Sequence, residues 1–392
     1  MTPAARMQAA IEIVDAVAEA ARGGGAAADT LIARYFKERR YAGSKDRRAV
    51  RDLVYEGIRR TADLPENGRA AMVGLALDRD DLAALFDGSL RGPAPIAANE
   101  PVASAGAVPA WLKPLLAEPI DAQEQGALLD RAPLDLRINR LKSGDADLQL
   151  PDAQPIRGLP NGLRLPTGSP VEQSEAYAAG LIEVQDAGSQ FIVQACSAQP
   201  GETVIDLCAG AGGKTLALAA DMRGQGRLIA ADTVRDRLSR LSPRAERAGA
   251  GFIETLLLNE GHEAAMLAHL AGAADLVLVD APCSGTGTWR RNPEARWRLT
   301  PERLDRLTRT QARILDFAAP LVRTGGRMGF AVCSILDREG SDQVAGFLNR
   351  HQGWQALPTN CPAGRVRGGG TLLTPGHDGS DGFFFAILEK QC

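Results

Sequence analysis

Residues 203–215 read Thr-Val-Ile-Asp-Leu-Cys-Ala-Gly-Ala-Gly-Gly-Lys-Thr, and this stretch decides the fold. TVIDL is a short apolar run interrupted only by Asp206, the pattern of a strand buried on both faces. Glycines follow at 210, 212 and 213, where a ligand can approach the backbone closely, and KTLALAADM then reads as a helix. The spacing is not that of a GxxxxGK[ST] phosphate loop, which needs glycine where Cys208 stands. Taken alone, such a turn fits a cofactor loop and a plain tight turn equally well.

The neighbouring segments favour the cofactor loop. RLIAAD at 227–232 is a second strand, and its last residue, Asp232, is placed to accept hydrogen bonds from ribose hydroxyls. FIETLLL at 252–258, LVLVD at 276–280 and MGFAVC at 328–333 read as further strands, separated by helical stretches that include the basic TVRDRLSRLSPRAERAG. GFFFAILEK at 382–390 is a last strand with no helix after it. Apolar runs alternating with helices predict a doubly wound parallel sheet with ligands beyond its carboxyl ends. Asp206, at the first strand end, is unusual for a dinucleotide site and suits a ligand carrying an ammonium group. S-adenosylmethionine has both that amine and a ribose.

Upstream, residues 1–90 read as helical. Ile11, Val14, Val17 and Ala18, then Val50, Leu53, Val54 and Ile58, recur at three and four, Gly23–Gly25 end a first helix, and Ser44 begins another. Residues 91–110, rich in Ala, Pro and Gly, read as a linker. Residues 111–183 read as a small α/β module: a helix from Trp111 to about Arg131, strands in LDLRINRL, GLRLP and LIEVQ, and a helix in DADLQLPDA. The sheet domain takes 184–392.

Composition is that of an ordinary folded protein, with 45% apolar and 24% charged residues. No apolar run is long enough to cross a membrane, no signal peptide is visible, and six scattered cysteines without a CxxC pair indicate neither a disulfide framework nor a metal site. A cytoplasmic protein with free thiols is expected. Net charge is −3, yet nine basic residues face four acidic ones between Tyr35 and Arg60, and eight arginines face three acids between Arg290 and Arg313. Such local clusters are the expected footprint of a phosphate backbone, although solvated helix faces look the same.

Two cysteines stand apart. Cys283 follows the fourth strand in Asp280-Ala281-Pro282-Cys283, and Cys333 ends the fifth, so both should face the crevice that holds the cofactor. Cys196, Cys361 and Cys392 read as small buried hydrophobes. A thiolate adding to carbon 6 of a pyrimidine makes carbon 5 nucleophilic enough to accept a methyl group, and positive charge such as Lys214 would help ionise it. An acid such as Asp280, bonded to the ring nitrogen or the exocyclic amine, would favour cytosine. None of the four histidines lies at a strand end here, which disfavours a Ser–His or Cys–His hydrolase.

VQDAGSQ at 184–190, DLCAGAGGKT at 206–215, DAPCSGTGTWRRNPEARW at 280–297, AVCSI at 331–335 and DGFFFAILEK at 381–390 together resemble the RsmB/Sun family of RNA cytosine carbon-5 methyltransferases. PAWLKPLL at 109–116 and LDLRINRLK at 134–142 resemble its small RNA-binding module, and residues 34–60 its helical, NusB-like extension. The resemblance implies Cys333 as the nucleophile and Cys283 as the residue that assists release of methylated RNA. It also implies that Cys208, Ala209, Gly210, Ala211, Gly212, Gly213 and Lys214, with Asp232, Arg237, Asn259 and Asp280, hold S-adenosylmethionine. The chain departs from the family pattern at Gly210-Ala211 (usually Ala-Pro), Asn259 (usually Asp) and Val332 (usually Thr). The expected fold is therefore a Rossmann-like α/β methyltransferase domain preceded by a small α/β RNA-binding module and an all-α NusB-like domain. The expected substrate is RNA, ribosomal in the first instance and transfer RNA in the second, with no metal and no membrane. A non-catalytic assembly factor on the same fold is the alternative from another class.

Overall fold

The computed structural model describes residues 1–144, 148 and 150–391. Four of the nine residues of the helix expected in DADLQLPDA, at 145–147 and 149, lie outside the described residues, and its described end is a turn. Cys392 lies outside them as well. The chain forms two compact units: Met1–Asp130 with Thr288–Pro301, and Arg131–Gly287 with Glu302–Cys392.

The first unit is built on helices α1 (Pro3–Gly23), α2 (Ala28–Glu38), α3 (Ser44–Arg60), α4 (Gly68–Leu77) and α5 (Asp80–Ala83). The Thr2 side chain accepts the Ala5 N–H at the start of α1, and Gly24, at φ +71°, ends it in the left-handed conformation that glycine adopts without strain. Val14, Val17, Val50, Val54 and Ile58 are buried together, as their spacing predicts. The core also takes Trp297, whose neighbour Arg296 donates to the carbonyl of Ala107, 189 residues upstream, at 3.1 Å. That arginine donates to the carbonyls of Ile58, Arg59 and Thr61, where α3 ends and its last carbonyls lack helical partners. Trp297 Nε1 donates to Thr61 O at 3.0 Å, Arg298 to the carbonyls of Gly25 and Ala26, and Glu294 accepts the Ala28 N–H at 3.1 Å.

These contacts correct the second basic footprint. Arg290 and Arg296 are buried and Arg298 is tied to backbone carbonyls; Arg291 is exposed, and Arg303, Arg306, Arg309 and Arg313 form an exposed series on one helix. The linker is corrected too. Its backbone is held to the helices by Arg69, which binds Glu100 and the carbonyls of Ala94 and Pro95, and by a bridge between Thr61 and Ala105. The helix expected from Trp111 reduces to a turn at Lys113–Leu115 and a short helix at Ala122–Ala127, capped by Asp121. These residues belong to the helical unit, so the boundary falls at Asp130 rather than 110.

In the second unit, β1 (Leu134–Ile138), β2 (Gln154–Pro155), β3 (Gly162–Leu165) and β4 (Ile182–Val184) form an antiparallel sheet in the order β2-β3-β1-β4. Arg164 forks onto the buried carboxylate of Asp135, which also accepts the Ala187 N–H and so joins this sheet to the helix Ala187–Cys196.

The larger sheet contains β5 (Thr203–Asp206), β6 (Arg227–Asp232), β7 (Glu254–Leu257), β8 (Ala274–Asp280), β9 (Val322–Val332), β10 (Trp354–Leu357), β11 (Arg365–Arg367), β12 (Gly370–Leu373) and β13 (Phe383–Lys390). Its order is β11-β12-β13-β9-β8-β5-β6-β7, with β10 on β13. The chain starts at β5, steps outward through β6 and β7, and returns to β8 on the other flank of β5, opening the crevice of a doubly wound sheet. The five strands from β5 to β9 are parallel as expected. The remaining four are antiparallel, so the sheet is mixed. The basic stretch after β6 is two helices, Arg235–Leu238 and Leu241–Ala248, rather than one. No helix among the described residues is long and apolar enough to cross a membrane.

Trp297 is 3% exposed. Trp297→Ala should therefore destabilise the helical unit by about 3–5 kcal/mol, the usual cost of removing a buried tryptophan side chain. Protease susceptibility of residues 1–130 and a denaturant titration of the full chain check this; an unchanged midpoint would place the segment outside the core.

Candidate active site

The turn after β5 is shaped by two left-handed glycines, Gly210 at φ +55° and Gly212 at φ +85°. A Cβ on Gly212 would lie 2.1 Å from Leu241 Cδ1, so that side of the turn is packed shut. A Cβ on Gly210 or Gly213 would meet nothing within 4 Å, so the other side is open. Asp232, at the end of β6, braces the turn: its carboxylate accepts the Gly210 N–H at 2.8 Å and the Val234 N–H at 2.7 Å. Arg244 adds a second brace, donating to Ala211 O at 2.6 Å while Glu183 holds its other nitrogen at 2.9 Å.

The turn opens into a cavity of about 810 Å³, within the range of small-molecule sites. Its wall contains Asp206, Cys208, Ala209, Gly210, Ala211, Gly213, Lys214, Asp232, Arg237, Asp280, Cys283 and Cys333, so the crevice brings together nearly all the residues that the sequence nominated. Two fall elsewhere. Gly212 turns toward Leu241. Asn259 is exposed, its N–H directed at Met266 Sδ, and Leu258 and Glu260 form that part of the wall instead. The reason is local: β7 ends at Leu257, so Asn259 has already left the strand end.

Electrostatics within the crevice are uneven. Asp206 is buried, and that burial pushes its carboxyl up to about 7 against the hydrogen bond from Thr215 Oγ1 at 2.6 Å. Its Oδ1 has no hydrogen-bond partner. Lys214 Nζ lies 2.7 Å from Asp280 Oδ2; burial is the largest influence and works to lower the lysine's proton affinity, but the charge and hydrogen bond of Asp280, with Cys333 and Asp206, together turn the net direction upward. The Cys283 and Cys333 sulfurs are 3.2 Å apart. The hydrogen bond with Cys333, followed by burial, pushes the Cys283 thiol well up. Burial does the same to Cys208 and lifts Cys196 to about 12, in keeping with the reading of Cys196 as a small buried hydrophobe.

Sequence reasoning missed the far wall. The helix Pro301–Ala318 supplies Arg303, Leu307, Thr310, Arg313, Ile314 and Phe317, with Arg313 paired to the buried Glu263 at 3.2 Å. Only the amphipathic spacing of that helix could have signalled it. Gln185 lay within the VQDAGSQ block without being singled out, and Arg244 carried no signal beyond its charge.

The sheet order, the glycine turn and the acid ending the second strand of the parallel set define an α/β protein of the nucleoside-cofactor class. Within that class the chain belongs to the 16S rRNA methyltransferase RsmB/F family, whose model matches residues 193–389. It is 37% identical over 273 residues to a Synechocystis protein named "Probable ribosomal RNA small subunit methyltransferase B", covering 66% of this chain and 60% of that one. It is 34% identical over 292 residues to the ribosomal RNA small subunit methyltransferase B of Escherichia coli K12, covering 72% of this chain and 66% of that one. The matched stretches thus span less than two thirds of either relative. The fold is similar to that of the crystal structure of PH0851, with a TM-score of 0.75 at 22% identity over 100% of this chain and 99% of that one.

Family membership brings S-adenosylmethionine as cofactor, and the crevice fits it. The unpartnered Asp206 Oδ1 is an acceptor suited to an ammonium group, the faces of Gly210 and Gly213 leave open space, and Asp232 offers its carboxylate at the strand end. If Asp206 holds the ammonium, binding needs its ionised form, so affinity should rise with pH through its titration. We expect about a fivefold gain between pH 6 and pH 7, from the ionised fraction of a group titrating near 7. Calorimetry on Asp206→Asn should show weaker binding without that rise; an equal rise in the variant would remove Asp206 from the ammonium site.

Proposed function

We propose that the chain transfers a methyl group from S-adenosylmethionine to carbon 5 of a cytosine in RNA, with small-subunit ribosomal RNA as the substrate class. The observation that carries this reading is the contact between Cys283 and Cys333, 3.2 Å apart at the wall of the cofactor crevice, with the Lys214–Asp280 pair in the same wall. A structural cysteine pair has no need of a cation or of access to a cavity; a covalent catalyst needs both.

In this reading the thiols act in sequence. With one proton shared by the pair, it resides on Cys283, the thiol of raised proton affinity, and Cys333 attacks as the thiolate opposite Lys214. Sulfur bonds to carbon 6, and the electrons of the 5,6 double bond make carbon 5 the nucleophile. Asp280, paired with Lys214 at 2.7 Å, accepts a hydrogen bond from the exocyclic amine of cytosine, which uracil lacks. The cofactor supplies an electrophilic methyl on a sulfonium centre. Alkylation of Cys333 removes the thiolate charge that had held the Cys283 proton, so Cys283 gives that proton to solvent and as thiolate takes the carbon 5 proton; the double bond re-forms, and the carbon–sulfur bond breaks with its electrons returning to Cys333. The helical unit, NusB-like in this proposal, and the four exposed arginines of helix Pro301–Ala318 grip the RNA backbone.

The order of action supplies the test. Cys333→Ala should abolish turnover and form no conjugate. Cys283→Ala should attack, accept the methyl and stall, giving a protein–RNA band on denaturing gels that depends on cofactor, and the double variant should give none. A conjugate in Cys333→Ala and none in Cys283→Ala would reverse the assignment.

A further inference from the structure

Behind the two thiols lies a fully buried carboxylate, Glu339, that the scheme above does not use. Its Oε1 accepts the Ser284 N–H at 2.9 Å and Gln311 Nε2 at 3.0 Å. Its Oε2 accepts the hydroxyls of Ser284 and of Ser334, the latter at 2.6 Å. Ser284 follows Cys283 and Ser334 follows Cys333, so one carboxylate holds both thiol-bearing loops. Gln311 also donates to Pro282 O at 3.0 Å, and Thr286 Oγ1 lies 3.1 Å from Ser334 Oγ. Among the described residues, no lysine, arginine or histidine forms an ion pair with Glu339. A buried carboxylate without a counter-ion is costly, and four donors converging on it offset that cost. Two backbone loops could be joined more cheaply by neutral groups, so the negative charge itself calls for a use.

We propose that Glu339 is a positioning residue for methyl transfer: it clamps the Cys283 and Cys333 loops in contact and sets which of the two thiols attacks. The proposal rests on the covalent cytosine-5 reading. The charges around the pair are asymmetric. The Cys283 thiol is pushed up by its hydrogen bond with Cys333, then by burial and the Cys333 charge, and after these by Glu339, whereas the charge of Lys214 couples to Asp280 and to Cys333. Removing the anion should therefore level the two thiols as well as loosen the clamp.

Glu339→Gln keeps the volume, deletes the charge and turns one acceptor into a donor facing donors. We expect kcat to fall about tenfold to a hundredfold, the scale of small misplacements of reacting groups, with cofactor affinity within about twofold of wild type by calorimetry. The decisive readout needs no RNA: iodoacetamide labelling of the free full-length protein across pH, resolved by mass spectrometry. Wild type should label Cys333 ahead of Cys283. In Glu339→Gln the Cys283 midpoint should move to lower pH and the order blur, while Glu339→Asp, which keeps the charge, should retain the order. Should Glu339→Gln not fold, Ser334→Ala and Ser284→Ala each remove a donor and should blur the order in part. A wild-type labelling order in folded Glu339→Gln, or in both serine variants where it does not fold, would overturn the proposal even if activity fell. Failure of Cys283→Ala to trap RNA would instead count against the cytosine reading and leave the labelling result standing.

Discussion

The parallel register of β5, β8 and β9 is the constraint on which the site depends. Asp206 pairs with Leu278 and Asp280 with Ala331, so the three strands end within a few residues of one another at one edge of the sheet. Everything chemical then follows from what stands at those ends. Asp206 and the glycine turn leave β5, Asp280 and the Pro-Cys loop leave β8, and Cys333 is the first residue past β9. Two cysteines fifty positions apart meet because the hydrogen-bond ladders beneath them leave no other arrangement.

The contact so produced needs stabilising against the mobility of two loops, and the structure does this with buried polar groups rather than with more apolar packing. Ser284, Thr286, Ser334, Gln311 and Glu339 form a network in which donors outnumber the charged acceptor and Gln311 Oε1 is left without a partner. Such networks in a low-dielectric interior are rigid when fully satisfied and fragile when one member is lost. The cofactor side is braced in the same manner, by Asp232 on the backbone of Gly210 and by Arg244 on that of Ala211. Where the family usually has Ala-Pro, this chain has Gly210-Ala211, and the two side-chain braces hold the turn that proline would otherwise stiffen.

How much of this was legible depended on how local the signal was. The parallel strands, the glycine turn and Asp232 could be read from short apolar runs and their terminal residues, and both cysteines from their place after such runs. Of the four antiparallel strands only β13 could be read, from its long apolar run; β10, β11 and β12 are three or four residues each, β10 and β11 partly exposed, and β10 and β12 find their place only by pairing with β13. The arginines of 290–298 looked like a nucleic-acid surface because composition does not reveal burial. Arg296 is 1% exposed and hydrogen-bonded to carbonyls some 235 residues earlier. Asn259 was misplaced by a strand end two residues short of it, and Glu339, in a loop without any motif, gave no sign at all.

The central claim is that carbon 5 of cytosine is attacked and loses its proton in the same turnover, with the two thiols acting on either side of that event. Ribosomal RNA carrying tritium at cytosine carbon 5 tests this most directly, with methyl transfer and tritium release into water counted in one reaction. The account predicts one tritium released for each methyl group transferred. Methyl transfer without tritium release would place the new methyl on another atom and contradict it.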